Sequence, residues 1–340
     1  MPAGGWFSIE VRRGDVVESV HRVHAVIADR NGSLSSWGDR QRPTIPRSAI
    51  KSIQALPIVT TGAADALAVT QSELALACAS HSGEPEHVKA VLGWLDRLGL
   101  SEADLECGPD VPMGTDAKKE FYASGREPSP IYNCCSGKHA GFLTVARHLG
   151  HGTVGYVERS AQVQQLVTEA IGSLTGLDLS EAPWGHDGCG IPVFALPLER
   201  LAFAMARLVD PVDLHDDLAA AAERLVEAAQ RAFWVSGTDR TEVAVTDGAL
   251  EPVVLKTGAE GVFMVGLPER GVGLALKVAD GASRAARAAV RAVLGHLDVL
   301  DADASGTPPL RNKAGREVGE LRPLLATPMT TRLSEPATVG

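Results

Sequence analysis

The chain has 340 residues, enough for one large domain or two intimate ones around a sizeable core. Hydrophobic residues at 45% and charged residues at 22% are those of a soluble globular protein, and a net charge of −10 argues against nucleic acid or an anionic membrane as partner. No run reaches the roughly 18 apolar residues of a membrane span, and no basic-then-apolar leader opens the sequence, which leads us to expect a cytoplasmic protein.

Val16 to Ala28 is rich in β-formers, Asn31-Gly32 is a turn signal, and Ser33 to Trp37 returns, so residues 16–38 read as a β-hairpin. A proline-punctuated loop feeds a helix beginning at 48–56. Residues 60–75 read as helix, and Val88, Val91, Leu92 and Leu95 give 86–98 helical spacing. Residues 107–130 lack periodicity and read as a long loop. Helical patterns return at 140–148, 159–175, 196–208 and 213–234, with a glycine-studded polar turn at Trp184–Gly190. Strands are expected near 242–246, 252–256, 262–267 and 272–279, then a helix at 282–297. Residues 301–340 are rich in Pro, Thr and Ser. With strands at both ends and helices between, the expectation is an α+β fold: an antiparallel sheet from the N- and C-terminal segments flanked by helices, with a helical lobe from the middle. The sheet lobe would take about 1–60 and 240–323, the helical lobe about 61–239, and 324–340 would be a flexible tail.

The chemistry starts at Arg47-Ser48-Ala49-Ile50-Lys51. A serine three residues before a lysine at a helix start places a hydroxyl beside an amine, and a desolvated lysine can take the serine proton. The chain has eight lysines, and only Lys51 has a serine at that spacing. The same residues also fit an ordinary helix start with a surface lysine. Lys256-Thr257-Gly258, on a late strand, completes with Ser48 and Lys51 the outer two motifs of serine β-lactamases and penicillin-binding proteins. Lysine at a strand edge also serves to block unwanted pairing.

Five cysteines, Cys78, Cys107, Cys134, Cys135 and Cys189, suit thiol or metal chemistry better than a disulfide framework. Cys135, Lys138 and Cys189 could hold a metal, with His139, His186 and Asp187 as more conventional donors nearby. Spacing alone does not carry that site, because Cys134 and Cys135 equally read as small buried apolar residues. Ser80, His81, Ser82 and His87 form a polar cluster in which one serine is expected to cap the following helix.

Together these segments carry a resemblance. Arg47-Ser48-Ala49-Ile50-Lys51, Ser80-His81-Ser82-Gly83-Glu84, Asn133-Cys134-Cys135-Ser136-Gly137-Lys138-His139, His186-Asp187-Gly188-Cys189-Gly190 and Lys256-Thr257-Gly258 occur in the order seen in the rhizobial-type (class 3) L-asparaginases, the asparaginase II family, over about residues 10–323. The resemblance implies a fold similar to serine β-lactamases and glutaminases. It implies two serine–lysine tandems, Ser48 with Lys51 and Ser80 with Lys256. A zinc ion on Cys135, Lys138 and Cys189 is implied too, with Arg47, Asp187 and His139 lining the substrate pocket. It further implies a homodimer that hydrolyses L-asparagine in preference to glutamine. Two other classes remain open on the residues. A penicillin-recognising hydrolase should add a signal peptide and a Ser-x-Asn. A non-catalytic metal-binding or redox protein would leave the serine–lysine spacing unexplained.

Overall fold

In the computed structural model, which describes residues 5–230, 245–301 and 306–333, strands from both ends of the chain join in one nine-stranded antiparallel sheet. The strands are β1 (Phe7–Arg13), β2 (Val16–Asp29), β3 (Ser33–Trp37), β4 (Val254–Gly258), β5 (Val262–Leu267), β6 (Val272–Val278), β7 (Leu310–Arg311), β8 (Glu317–Leu325) and β9 (Met329–Arg332). Their order is β7-β8-β1-β2-β6-β5-β4, while β3 pairs with β2 and β9. The expected hairpin 16–38 is present, as are the strands near 252–256, 262–267 and 272–279. Strand β1 was not anticipated. Of the strand expected near 242–246, residues 242–244 lie outside the described residues, and Val245 and Thr246 are not in a strand.

The sheet carries a helix on each face, so its central strands read as continuous apolar runs rather than alternating ones. Phe263, Val265, Leu267, Leu274, Leu276 and Val278 face the helix Ser283–His296 and bury Ala285, Ala289, Val290 and Val293 against them. Each such large side chain contributes about 1.5–3 kcal/mol of transfer free energy. Helix Leu198–Val209 packs against β2, β5 and β6. Gly266 and Gly273 lie opposite each other in register, and a Cβ at 273 would stand 2.1 Å from the Ala202 carbonyl oxygen. Two bare glycines thus let this helix approach the sheet backbone.

By its contacts the chain divides into two units: residues 1–49, 196–210 and 244–340 form the sheet unit, and residues 50–195 and 211–243 the helical unit. Helix Leu198–Val209, expected in the helical lobe, belongs to the sheet unit, and residues 50–60, expected with the sheet, belong to the helical one. The flexible tail expected at 324–340 is corrected over residues 324–333. Strand β8 runs to Leu325, β9 pairs with β3, and the buried Trp37 donates its indole N–H to the Ala326 carbonyl at 2.7 Å. Residues 334–340 lie outside the described residues.

The helical unit holds helices at Lys51–Gln54, Leu56–Thr60, Ala63–Ala66, Gln71–Cys78, Pro85–Arg97, Thr115–Ala123, Ser136–His148, Gln162–Thr175 and Asp216–Gln230. At its centre, Ser136–Ala146 is buried on every side. Gly137 abuts the Leu76 carbonyl and Gly141 the Ile58 side chain; an added Cβ would lie 2.9 and 2.5 Å from them. Thr115–Ala123 replaces the structureless loop expected over 107–130. Residues 60–75, expected as one helix, contain breaks at Gly62 and Val69. Among the described residues, no helix is long and apolar enough to cross a membrane.

Candidate active site

Within the sheet unit, the backbone turns sharply at Arg47, whose φ of +52° lies in the left-handed region that side chains normally avoid. Residues Arg47–Ile50 form a 3₁₀ turn, and Ala49 N–H bonds back to the Pro46 carbonyl at 3.1 Å. The helix expected at 48–56 is therefore a 3₁₀ turn followed by two short helices, Lys51–Gln54 and Leu56–Thr60. Pro57 explains the break, because it has no N–H to donate within a continuous helix and its ring would crowd the carbonyl four residues back. The end of β4 lies against this turn: a Cβ on Gly258 would be 2.5 Å from the Pro46 oxygen and 3.2 Å from the Ala49 nitrogen. Glycine in Lys256-Thr257-Gly258 is thus what lets the Ser48 turn settle on the strand. Lys256 is buried, and its Nζ donates to the Thr257 carbonyl at 3.0 Å.

Within the helical unit, Lys51 is 0% exposed. Its Nζ donates to the Ser80 hydroxyl at 2.8 Å and to the Ala79 carbonyl at 2.9 Å. Ser80, half-buried, follows the C-terminus of helix Gln71–Cys78. The expected cap for the next helix is not a serine: Glu84 and His87 cap it reciprocally, while Ser82 hydrogen-bonds His87 Nδ1 at 3.3 Å.

Cys135, Lys138 and Cys189 come together in the same unit, all buried. Cys135 and Lys138 lie at and just inside the start of helix Ser136–His148. Cys189 lies in the tight turn between the paired strands Trp184–His186 and Pro192–Phe194. Lys138 Nζ is 3.1 Å from Cys189 Sγ. Hydrogen bonds from the Cys134 thiol and then from Cys189 hold the Cys135 pKa well below that of an ordinary thiol, against its burial; Lys51 and Lys138 add to this. Cys189, beside that thiolate and buried, is pushed up. Burial opposes the charge on Lys138, yet Cys135, Cys189 and Asp187 together hold its pKa above the usual lysine value. Two buried sulfurs and an amine brought together suit a borderline-soft dication such as zinc once Cys189 and Lys138 give up their protons, which binding would release.

His139, next on the helix, is fully buried. Tyr156 accepts the Glu106 N–H at 3.0 Å, so its own hydroxyl proton goes to His139 Nδ1 at 2.7 Å. That leaves the proton of the neutral imidazole on Nε2, which has no protein partner although buried. Burial and then the Lys138 charge push the His139 pKa well below the ordinary value. Asp187 is half-buried, and its Oδ1 accepts the Gly188 N–H at 2.6 Å. Arg47 is half-buried in the sheet unit.

The helical unit thus gathers Lys51 with Ser80, and Cys135, Lys138 and Cys189 with Asp187 and His139. The sheet unit gathers Arg47 and Ser48 beside the Lys256-Thr257-Gly258 strand. Tyr156, Glu106 and Cys134 were missed as participants. Only Cys134, adjacent to Cys135, carried a sequence signal; Tyr156 sits in an irregular stretch with none.

Among solved structures the chain is similar to Mglu in its tris and glutamate form, at 18% identity and a TM-score of 0.39, covering 86% of this chain and 64% of that one. The chain thus spans less than two thirds of that neighbour's length. It is also similar to a probable glutaminase from Bacillus subtilis, at 12% identity and a TM-score of 0.37, covering 82% of this chain and 84% of that one. A third similar structure is a β-lactamase from Mycobacterium bovis, at 15% identity and a TM-score of 0.43, covering 81% and 94%. Likenesses at this level leave the argument with the chain's own residues. Among curated proteins none matches the sequence. The sequence profile of the family described as L-asparaginase II matches residues 9–323, which takes in every residue of the site above. The chain belongs to the L-asparaginase II family.

Proposed function

We propose that the protein is an L-asparaginase that hydrolyses L-asparagine to L-aspartate and ammonia through a serine activated by lysine. The observation that carries this reading is the wholly buried Lys51, whose amine meets the Ser80 hydroxyl at 2.8 Å and follows Ser48 by three residues. A buried amine within hydrogen-bond reach of a serine hydroxyl is placed to take up a serine proton.

In the proposed mechanism, Ser48 Oγ bonds to the side-chain amide carbon as its proton passes to Lys51 Nζ. The tetrahedral oxyanion is met by backbone N–H groups. The C–N bond breaks as that proton reaches the leaving nitrogen, giving ammonia and an aspartyl ester. Water, losing a proton to the same lysine, adds to the ester and releases aspartate as Ser48 regains its proton. Ser80 relays protons through its bond to Lys51, and Lys256 steers the carbonyl. Arg47 and Asp187 take the substrate's α-carboxylate and α-amine, opposite charges for opposite charges. His139, held with its proton on Nε2, offers a donor to a substrate oxygen.

Cys135, Lys138 and Cys189 are proposed to hold zinc. When bound, the ion would act as an electrostatic anchor that helps seat the substrate. In Cys135→Ala, elemental analysis should show less than about a tenth of the wild-type zinc per chain, since loss of one of three protein ligands removes most structural affinity. Zinc retained at the wild-type level would remove Cys135 from the site. The reading includes a homodimer and a cytoplasmic location, the former checked by light scattering of the purified protein.

Ammonia release from L-asparagine, compared with L-glutamine and nitrocefin hydrolysis, tests the substrate. Release from asparagine well above glutamine supports the reading. Preferential glutamine turnover makes the protein a glutaminase, and hydrolysis of nitrocefin alone a penicillin-recognising enzyme.

A further inference from the structure

Residues 80–84 belong to neither helix nor strand. Repetitive backbone bonding therefore does not fix the position of Ser80, and isolated backbone and side-chain bonds of its neighbours do so. One imidazole stands out. His81 is wholly buried, and it bonds in three directions. Its backbone N–H donates to the Cys134 carbonyl at 3.2 Å. Its Nε2 lies 2.7 Å from Ser136 Oγ, and its Nδ1 accepts the Gly83 N–H at 3.1 Å.

The proton positions follow from the partners. Ser136 spends its single proton on the Ile131 carbonyl at 3.1 Å, so its oxygen can only accept from His81. The imidazole proton is thus on Nε2, and the Nδ1 lone pair is free for Gly83. Both ring nitrogens are used, and a second ring proton would face the Gly83 N–H. Burial, with the charges of His87 and Lys51, accordingly pulls the His81 pKa down to about 3.

We propose that His81 is a positioning residue: as a neutral imidazole it clamps the Ser80 segment to the turn that opens helix Ser136–His148, so that Ser80 Oγ is held on Lys51 Nζ in register with Cys135 and Lys138. This rests on Ser80 and Lys51 acting as in the proposed function. His81 touches no reacting atom. It acts by holding Ser80 from the C-terminal side, while the Lys51 bond to the Ala79 carbonyl holds it from the N-terminal side.

The test uses the intact protein and three variants. His81→Leu removes both ring bonds. His81→Gln can still reach Ser136 as a donor but offers nothing to Gly83. Ser136→Ala leaves the ring and removes its acceptor. A misplacement of about 1 Å in a reacting group costs on the order of 100-fold in rate. With L-asparagine, kcat should fall on the order of 100-fold in His81→Leu and about tenfold in His81→Gln and Ser136→Ala, a partial rescue by the conservative change, with KM within about threefold in all three. A merely structural role would lower the melting temperature and leave the kcat of the folded fraction unchanged, and that result would overturn the proposal. Should His81→Leu fail to fold, Ser136→Ala decides by the same criterion. Nitrogen-15 NMR of the imidazole reads the clamp without turnover. A neutral ring protonated on Nε2 from about pH 5 to 8 is expected from the pKa direction, and an imidazolium or an Nδ1–H tautomer in that range would refute it. If wild-type protein turns over no amide while the NMR signature holds, the functional reading fails and the clamp stands.

Discussion

A single carbonyl oxygen restricts position 258. Adding a methyl group there would bring it 2.5 Å from the Pro46 oxygen, and backbone on both sides leaves little room to yield. Gly258→Ala should therefore shift the Ser48 turn and lower kcat by on the order of 100-fold, since small displacements of a reacting group cost that much. Wild-type kcat in the folded variant would separate Gly258 from the turn's placement. Tyr156→Phe makes a different point: it strips a partner from both the Glu106 N–H and His139 Nδ1. Two polar groups left buried should cost about 2–3 kcal/mol, read from urea denaturation. The serine–lysine spacing and the cysteines were legible because the chemistry concentrates in short runs of rare residue types. The bond between Lys51 and Ser80 was not, since 29 residues separate them and only the fold closes that gap. Tyr156 lies outside any such run, so nothing in the sequence marks it, and the tandem of Ser80 with Lys256 rests on the family resemblance alone.

Elements buried on one clear face were readable, and those held by distant partners were not. Helix Pro85–Arg97 is legible from the spacing of Val88, Val91, Leu92 and Leu95; Val91 and Leu95 lie on its buried side with Trp94, while Leu92 is exposed. Thr115–Ala123 buries only Ala117 and Phe121, too thin a stripe to distinguish from loop. Strand β8 contains Pro323, which cannot donate to a ladder, and pairs it with Ile9 more than 300 residues away. That strand is only partly covered by the two-residue β7, so the proline is tolerated and the sequence looks like a tail. At the helix–sheet contact, glycine is again decisive. Gly273→Ala would drive a methyl into the backbone of Leu198–Val209 and should destabilise the protein by at least about 1–3 kcal/mol, the usual cost of overpacking. A denaturation midpoint equal to wild type would mean that the helix moves aside freely.

At the scale of the whole molecule, the fold class was legible because strand-like segments lie at both ends of the chain. The division into units was less so, since helix Leu198–Val209 looks like its neighbours in the middle yet joins the sheet. The buried histidines give the molecule a pH signature. His81 has a folded pKa of about 3, and His139 lies well below its ordinary value, against about 6.5 in the unfolded chain. Between those limits the unfolded state binds more protons, so these groups make stability fall as pH drops from about 6.5 towards 3. The melting temperature of wild type should fall more steeply across that window than that of His81→Gln; parallel curves would mean that His81 is not held neutral.

The most direct measurement is ammonia release from L-asparagine by purified wild-type protein beside Lys51→Met, with circular dichroism to show that both are folded. Turnover by wild type and a loss of at least about 1000-fold in the variant is the expected result, the scale on which removal of an activating base acts. No release by wild-type protein would contradict the asparaginase reading, and full activity without the Lys51 amine would contradict the serine–lysine site.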